Sequence, residues 1–87
     1  MKSNRKKNLE LSKVAFEAIR SLLPRTSAEH IREYIYDHNE WGLGVEMIVD
    51  VLLEEDIAIT GPQKKAIFDA LEAMRLHVGQ QEIRVRS

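Results

Sequence analysis

Carboxylates are the side chains in this sequence that could do chemistry. Between Glu33 and Gln63 the chain has no Lys or Arg and eight acidic residues, which are Glu33, Asp37, Glu40, Glu46, Asp50, Glu54, Glu55 and Asp56. Paired carboxylates can serve as a general acid and base, or they can bind a divalent cation. Catalysis needs a polar pocket and calcium binding needs a characteristic loop, and the sequence predicts neither. We therefore expect no catalytic residue, no metal site and no cofactor.

The histidines do not change that expectation. His30 and His38 fall on one predicted helix, about 12 Å apart along its axis, which is too far for both to bind one metal ion unaided. The third, His77, comes near the end of another predicted helix, where a histidine favours the helix dipole. The chain has no cysteine, which excludes disulfides and thiol chemistry. The sequence thus predicts a binding protein rather than an enzyme.

The formal net charge of −1 conceals how unevenly the charges are distributed. All 13 basic residues lie outside the acidic segment 33–63, together with six acidic ones. The segment therefore carries −8 and the rest of the chain +7. Like charges concentrated in one region repel each other, and such patterns often indicate a partner of the opposite sign. The acidic segment predicts a basic partner.

Length and composition favour a small helical domain. The chain has 87 residues, of which 44% are apolar, and few are Gly or Pro. One modest core is all that this size allows. The basic N-terminus lacks the apolar run of a signal peptide, and no stretch approaches the roughly 20 apolar residues of a membrane span. We expect a cytoplasmic protein with no membrane partner.

The hydrophobic period predicts an all-α fold, a compact four-helix bundle in a single domain. The predicted helices cover residues 8–23, 28–38, 40–54 and 62–77. Residues 1–7 are predicted to be a flexible basic lead-in, residues 8–79 the helical domain, and residues 80–87 a C-terminal tail. Expected helix starts are a capping box from Thr26 to Glu29, an N-cap at Asn39 and a second capping box at Thr60, and Gly79 is the expected stop of the last helix.

Helical wheels separate a predicted core from a predicted binding surface. Trp41, Val45, Ile48 and Leu52 should form the buried seam of the third helix. Opposite that seam, Glu46, Asp50 and Glu54 form a row at spacings of four residues. In the second helix, Ile31, Tyr34, Ile35 and His38 form the expected core stripe, and Tyr36 is predicted to face solvent, where an exposed tyrosine among acids suits a binding hot spot.

These patterns define the predicted partner-binding residues. The other interpretation is that the same side chains are a solvated face that binds no partner. The set comprises Glu33, Tyr36, Asp37, Glu40, Leu43, Glu46, Met47, Asp50, Glu54, Glu55 and Asp56.

Residues 37–59 carry a family resemblance. The run Asp37-His38-Asn39-Glu40-Trp41-Gly42-Leu43-Gly44-Val45-Glu46, followed by Asp50 to Asp56 and the loop Asp56-Ile57-Ala58-Ile59, resembles small helical immunity proteins of the MafI family and of contact-dependent growth inhibition systems. Gly44 stands where that family more usually has Ala. The resemblance implies an antitoxin that binds the C-terminal domain of a cognate secreted toxin, often a nuclease with a basic cleft, and blocks it.

Two other interpretations remain open. One is a helical adaptor or regulatory interaction domain that contacts nucleic acid through the basic lead-in, which contains Lys2, Arg5, Lys6 and Lys7. The acidic segment would repel phosphate, so direct nucleic-acid binding is not expected. The other is a small enzyme, which would need a pocket with convergent polar groups that the sequence pattern does not show. A homodimer also remains open as the assembly of the chain.

Overall fold

The computed structural model describes residues 4–86, which form four α-helices and three short turns of tighter or wider helix. The helices are α1 (Arg5–Ile19), α2 (Arg25–Arg32), α3 (Trp41–Glu54) and α4 (Gly61–Ala73). A 3₁₀ turn (Arg20–Leu22) follows α1, a π-helical turn (Glu33–Asp37) extends α2, and a second 3₁₀ turn (Gln80–Glu82) follows α4. The predicted all-α helical bundle is confirmed.

One apolar core joins the helices. Its fully buried members on α3 include Val45 and Ile48 at 0% exposure and Leu52 at 1%, as the predicted seam requires. Trp41 is only partly buried, and Val49, which a helical wheel places close to the acidic row, is fully buried instead. The segment after α4 covers that side of α3, because a Cβ built on Gly42, seven residues before Val49, would lie 3.1 Å from Leu76 Cδ1.

Helix α1 begins earlier than predicted. Asn4 caps it, since its side-chain oxygen accepts a hydrogen bond of 2.9 Å from the Lys7 N–H. Arg5, Lys6 and Lys7 are therefore helical, and the prediction that residues 1–7 form a flexible lead-in is wrong for these three. The rest of that predicted lead-in up to residue 3 lies outside the described residues.

Helix α2 starts at Arg25 rather than near residue 28, and the predicted capping box from Thr26 to Glu29 is wrong. Pro24 occupies the N-cap position, with φ −55°, and no side chain caps the helix. Glu29 instead lies 3.9 Å from Arg25, one turn away on the exposed surface.

The π-helical turn changes the register after α2. The His38 N–H donates to the carbonyl of Glu33, five residues back, and the Glu40 N–H donates to Tyr34 at 2.8 Å. Asn39 then takes a left-handed conformation, φ 54°, and so ends this helix instead of capping α3. An extra residue in a turn rotates all later residues about the helix axis, so the predicted core stripe is wrong at His38, which is exposed.

Helix α4 has the predicted start but a different end. The Thr60 hydroxyl accepts from the Gln63 N–H at 3.2 Å, and the Gln63 side chain accepts from the Thr60 N–H at 2.8 Å, which confirms the capping box. The helix ends at Ala73, not residue 77, because Arg75 adopts a left-handed conformation, φ 58°.

The last residues pack on the bundle. Gly79, φ 86°, precedes the second 3₁₀ turn, so it does not end α4 as predicted. Ile83 is buried at 2% exposure, and Val85 forms a parallel bridge with Ile59. The Lys64 ammonium donates to the Ile83 carbonyl at 2.7 Å, which ties this segment to α4. Residues 80–86 therefore belong to the fold.

Candidate partner-binding surface

The outer face of α3 carries five of the eleven predicted binding residues. Asp50 and Glu54 are exposed, Leu43 is 42% exposed, and Leu53 is 37% exposed. Glu46 and Met47 lie on the same side and are partly buried. We call this set the α3 surface: Leu43, Glu46, Met47, Asp50, Leu53 and Glu54.

The three carboxylates of the α3 surface form a row that is inclined to the helix axis. At a rise of 1.5 Å per residue, Glu46, Asp50 and Glu54 follow one another at intervals of about 6 Å. Like charges at this spacing destabilise a helix by a few tenths of a kcal/mol per pair. The row therefore costs the folded chain stability and contributes none.

Nothing in the described part of the chain neutralises this row. Five ion pairs join residues between 4 and 86, and none includes Glu46, Asp50 or Glu54. The negative potential of the α3 surface consequently reaches solvent, where it can attract a cationic partner.

Apolar side chains bracket the row. Leu43 and Met47 lie towards the start of α3 and Leu53 towards its end. Single exposed leucines are common on soluble proteins, so their value here is their position beside the carboxylates. Leu53 is absent from the predicted set. Its spacing, seven residues after Glu46 and three after Asp50, places it on the same face and could have identified it.

Asp56, a member of the predicted set, forms an ion pair within the chain. It takes a left-handed conformation, φ 53°, just beyond α3, and its Oδ1 accepts from Arg84 Nε at 2.8 Å. Arg84 Nη2 also donates to the Asp56 carbonyl at 3.1 Å. Arg84 thus neutralises Asp56, whereas the neighbouring Glu55 is exposed at the end of α3.

Tyr36 is only partly exposed, whereas the sequence pattern predicts that it faces solvent. Its ring packs edge-on against Phe16, with 6.2 Å between ring centres, and its hydroxyl donates to Glu17 Oε2 at 2.9 Å. Burial and the hydrogen bond to Glu17 raise the pKa of the Tyr36 phenol above its usual value of 10.0. Lys13 and Arg32 lie over its ring, 5.2 Å and 5.7 Å from the centre. Tyr36 therefore belongs to the packing between α1 and the π-helical turn.

The remaining acids of the predicted binding set lie outside the α3 surface or at its edge. Asp37 pairs with Arg32 at 3.2 Å. Glu33 lines an open depression together with Arg20, Glu29 and other residues of mixed charge. Glu40 is exposed at the N-cap position of α3, so it extends the acidic character to the start of that helix. The single predicted surface is thus divided, and the α3 surface holds five of its eleven residues.

Residues 4–86 give little evidence for a metal site or a membrane span. No group of three or more acidic or histidine side chains there is arranged to hold a metal ion. Trp41 Nε1 is the one buried side-chain polar atom in that range without a hydrogen-bond partner. None of the described helices is both long and apolar enough to cross a membrane.

Comparisons with known proteins add no functional assignment. No protein-family model, no curated protein and no solved structure matches the chain. Any functional role of the chain therefore follows from the charge and exposure of the α3 surface.

Proposed function

We propose that this chain is an immunity protein, an antitoxin that binds the C-terminal domain of a cognate secreted toxin through the α3 surface. The observation that carries the proposal is the row of Glu46, Asp50 and Glu54 on one helix, which has no ion-pair partner among residues 4–86 and lies beside exposed Leu43 and Leu53. The resemblance of residues 37–59 to the MafI family supports the same function.

The proposed mechanism is occlusion of a basic active site. A nuclease cleft is basic because it binds phosphates, so a row of carboxylates can take the place of the nucleic acid. Helix α3 is anchored by the fully buried Val45, Ile48 and Leu52, so the carboxylates lie on a preformed helix and little ordering accompanies binding. No catalytic group is required of the inhibitor, which would act in the cytoplasm of the cell that makes the toxin.

The two kinds of side chain on the α3 surface have different kinetic roles in this mechanism. Exposed carboxylates increase the association rate with a cationic partner, and salt screens that effect. Leu43, Met47 and Leu53 lose solvent contact in the complex, so they slow dissociation. Complex formation should thus be fast and salt-sensitive, with a residual affinity at high salt from the apolar contacts.

Co-purification tests the proposal directly. A secreted protein with a variable C-terminal domain, encoded immediately upstream, is the expected partner. That domain should co-purify with this chain and lose its nuclease activity in the complex. A domain that co-purifies but keeps full activity would contradict occlusion, and one that does not bind would contradict the immunity function.

A second candidate function has one observation in its favour. Arg5, Lys6 and Lys7 are exposed at the start of α1 and take part in none of the ion pairs of the described chain. An adaptor that contacts nucleic acid could use this cationic turn. Binding of an oligonucleotide that weakens in a Lys6→Glu/Lys7→Glu variant would favour the adaptor, and no binding at low salt would exclude it.

A further inference from the structure

Ser12 has a buried hydroxyl with a poor hydrogen-bond partner. It lies on the core side of α1 at 0% exposure. The one acceptor that its hydroxyl meets among residues 4–86 is the sulfur of Met74, which is 4.0 Å from Ser12 Oγ. A thioether is a weak acceptor, and a buried polar group without a good partner costs stability. The hydroxyl is therefore a donor that could serve a stronger acceptor in the same place.

Met74 brings its sulfur to this hydroxyl from the end of α4. It is the C-cap residue of that helix, and it packs against the core while it stays partly exposed. Partial exposure lets a small oxidant reach a thioether, and the unbranched side chain can turn about its terminal bonds. An oxidisable sulfur and a buried donor thus meet where α1 and α4 pack together.

We propose that Met74 is an oxidation site and that the Ser12 hydroxyl binds the oxygen of its sulfoxide. The oxidant is a peroxide. For hydrogen peroxide, the O–O bond breaks, one oxygen bonds to a lone pair of the sulfur, and the other leaves as water with both protons. The sulfur loses two electrons and the peroxide gains them. Ser12 takes no part in this step and acts only on the product.

The distance between the two groups suits the sulfoxide better than the thioether. A hydrogen bond between two oxygens is about 2.7–2.8 Å long. The 4.0 Å from Ser12 Oγ to the sulfur is longer by roughly one covalent bond. An oxygen on the sulfur that is turned towards Ser12 consequently comes within hydrogen-bond distance of the hydroxyl.

The donor decides what oxidation does to the fold. Oxidation of a methionine in a core is usually disruptive, because a polar oxygen is added where no donor is present. At Met74 the donor is already in place, so the oxidised protein gains a full hydrogen bond between α1 and α4. The fold therefore tolerates oxidation at this residue. This inference does not depend on the proposed function.

Peptide mapping after exposure of the native protein to hydrogen peroxide tests the site. Met74 should gain one oxygen at temperatures well below the melting temperature, while the protein stays folded. A Met74 that remains reduced until the protein is unfolded would overturn the proposal.

A thermodynamic cycle tests the role of Ser12. In a Met47→Leu background, oxidation of Met74 should leave the melting temperature unchanged or raise it. In Ser12→Ala/Met47→Leu the new oxygen has no donor, so oxidation should lower the melting temperature by about 4–8 °C, the shift for one hydrogen bond in a domain of this size. Ser12→Ala should itself fold well, because Ala favours a helix and only a weak bond is removed.

The matched control is Met47→Leu/Met74→Leu, which leaves Met1 as the only methionine. Any shift of its melting temperature in peroxide is subtracted from the other shifts. A loss of equal size with and without the Ser12 hydroxyl would overturn its role in binding the sulfoxide oxygen.

Discussion

Gly44→Ala is the substitution whose cost follows most directly from the structure. Helix α3 crosses the π-helical turn at this residue, and a Cβ on residue 44 would lie 2.6 Å from Ile35 Cγ1 and 3.2 Å from Ile35 Cδ1. Carbon atoms in favourable contact are about 3.5–4.0 Å apart, so Ile35 would have to move by about 1 Å. Ile35 is fully buried, and its neighbours leave it little room.

Two opposing terms set the expected size of the effect. Overpacking of a core costs about 1–3 kcal/mol. Ala is more favourable than Gly inside a helix by about 0.8–1.0 kcal/mol. The net change for Gly44→Ala should therefore lie between about zero and 2 kcal/mol of destabilisation.

Gly61→Ala is the matched control. Gly61 is the first residue of α4, and a Cβ built there has no atom within 4 Å. Its substitution should stabilise the protein by about 0.4–1 kcal/mol, mainly by restricting the unfolded chain. The gap between the two variants isolates the steric cost at Gly44. In a domain of this size each kcal/mol shifts the melting temperature by about 4–8 °C.

Thermal unfolding of a double-mutant cycle completes the assay. Ile35→Ala alone should cost about 2–5 kcal/mol through the cavity it leaves. In the Gly44→Ala/Ile35→Ala double variant the new methyl group enters that space, so the loss should be smaller than the sum of the single losses. If Gly44→Ala stabilises the protein as much as Gly61→Ala does, the close crossing of α3 over Ile35 is refuted.

Three further predictions concern the core, a phenol and the C-terminal segment. Ile48→Ala should lower the free energy of unfolding by about 2–5 kcal/mol, because Ile48 is fully buried, and an unchanged denaturation midpoint would contradict its place in the seam. Because the pKa of Tyr36 is raised, the folded protein holds the phenol proton more tightly than the unfolded chain does. The stabilisation from this proton is complete below pH 10.0 and is lost as pH rises through the folded-state pKa. Unfolding of Tyr36→Phe at several pH values should lack this alkaline loss, and a pH profile identical to that of the wild type would contradict the prediction. Lys64→Met should weaken the packing of the last residues, because it removes the ammonium that binds the Ile83 carbonyl. Hydrogen exchange at the Arg86 amide, which donates to the Ile59 carbonyl, should therefore accelerate. Unchanged exchange would show that other contacts hold the segment.

Local signals in the sequence were sufficient for much of the fold. The capping box at Thr60 acts within four residues, and the apolar spacing of Val45, Ile48 and Leu52 acts within one helix. Such features depend on neighbouring residues only, so they can be predicted without knowledge of the tertiary structure. The outward direction of Asp50 and Glu54 follows from the same spacing.

The π-helical turn could not be predicted from periodicity. A wheel of 3.6 residues per turn assumes that the helix period stays constant, and the hydrogen bond from His38 to Glu33 breaks that assumption. Tyr36 and His38 consequently differ from the environments predicted for them: the tyrosine is partly buried against Phe16 and the histidine is exposed.

Long-range pairing explains the remaining differences. Asp56 and Arg84 are 28 residues apart, and nothing near either one indicates that they meet. The burial of Ile83 and the bridge between Ile59 and Val85 likewise depend on how the end of the chain returns to the bundle. Tertiary contacts of this kind decide which carboxylates stay free, so the charge of the binding surface was only partly predictable.

The binding of Asp50→Lys/Glu54→Lys to the toxin domain encoded upstream tests the central claim most directly. Both residues are exposed on α3, so the variant should unfold at nearly the wild-type temperature. Titration at low and at high salt should show strongly weakened binding, and truncation of carboxylates that are paired and desolvated in such complexes costs about 2–5 kcal/mol. As a matched control, Glu29→Lys/Glu33→Lys reverses two exposed acids outside α3 at the same four-residue spacing. This control should bind like the wild type, with an affinity that falls as salt rises. Wild-type affinity in a folded Asp50→Lys/Glu54→Lys variant would contradict the claim that the α3 surface binds the toxin.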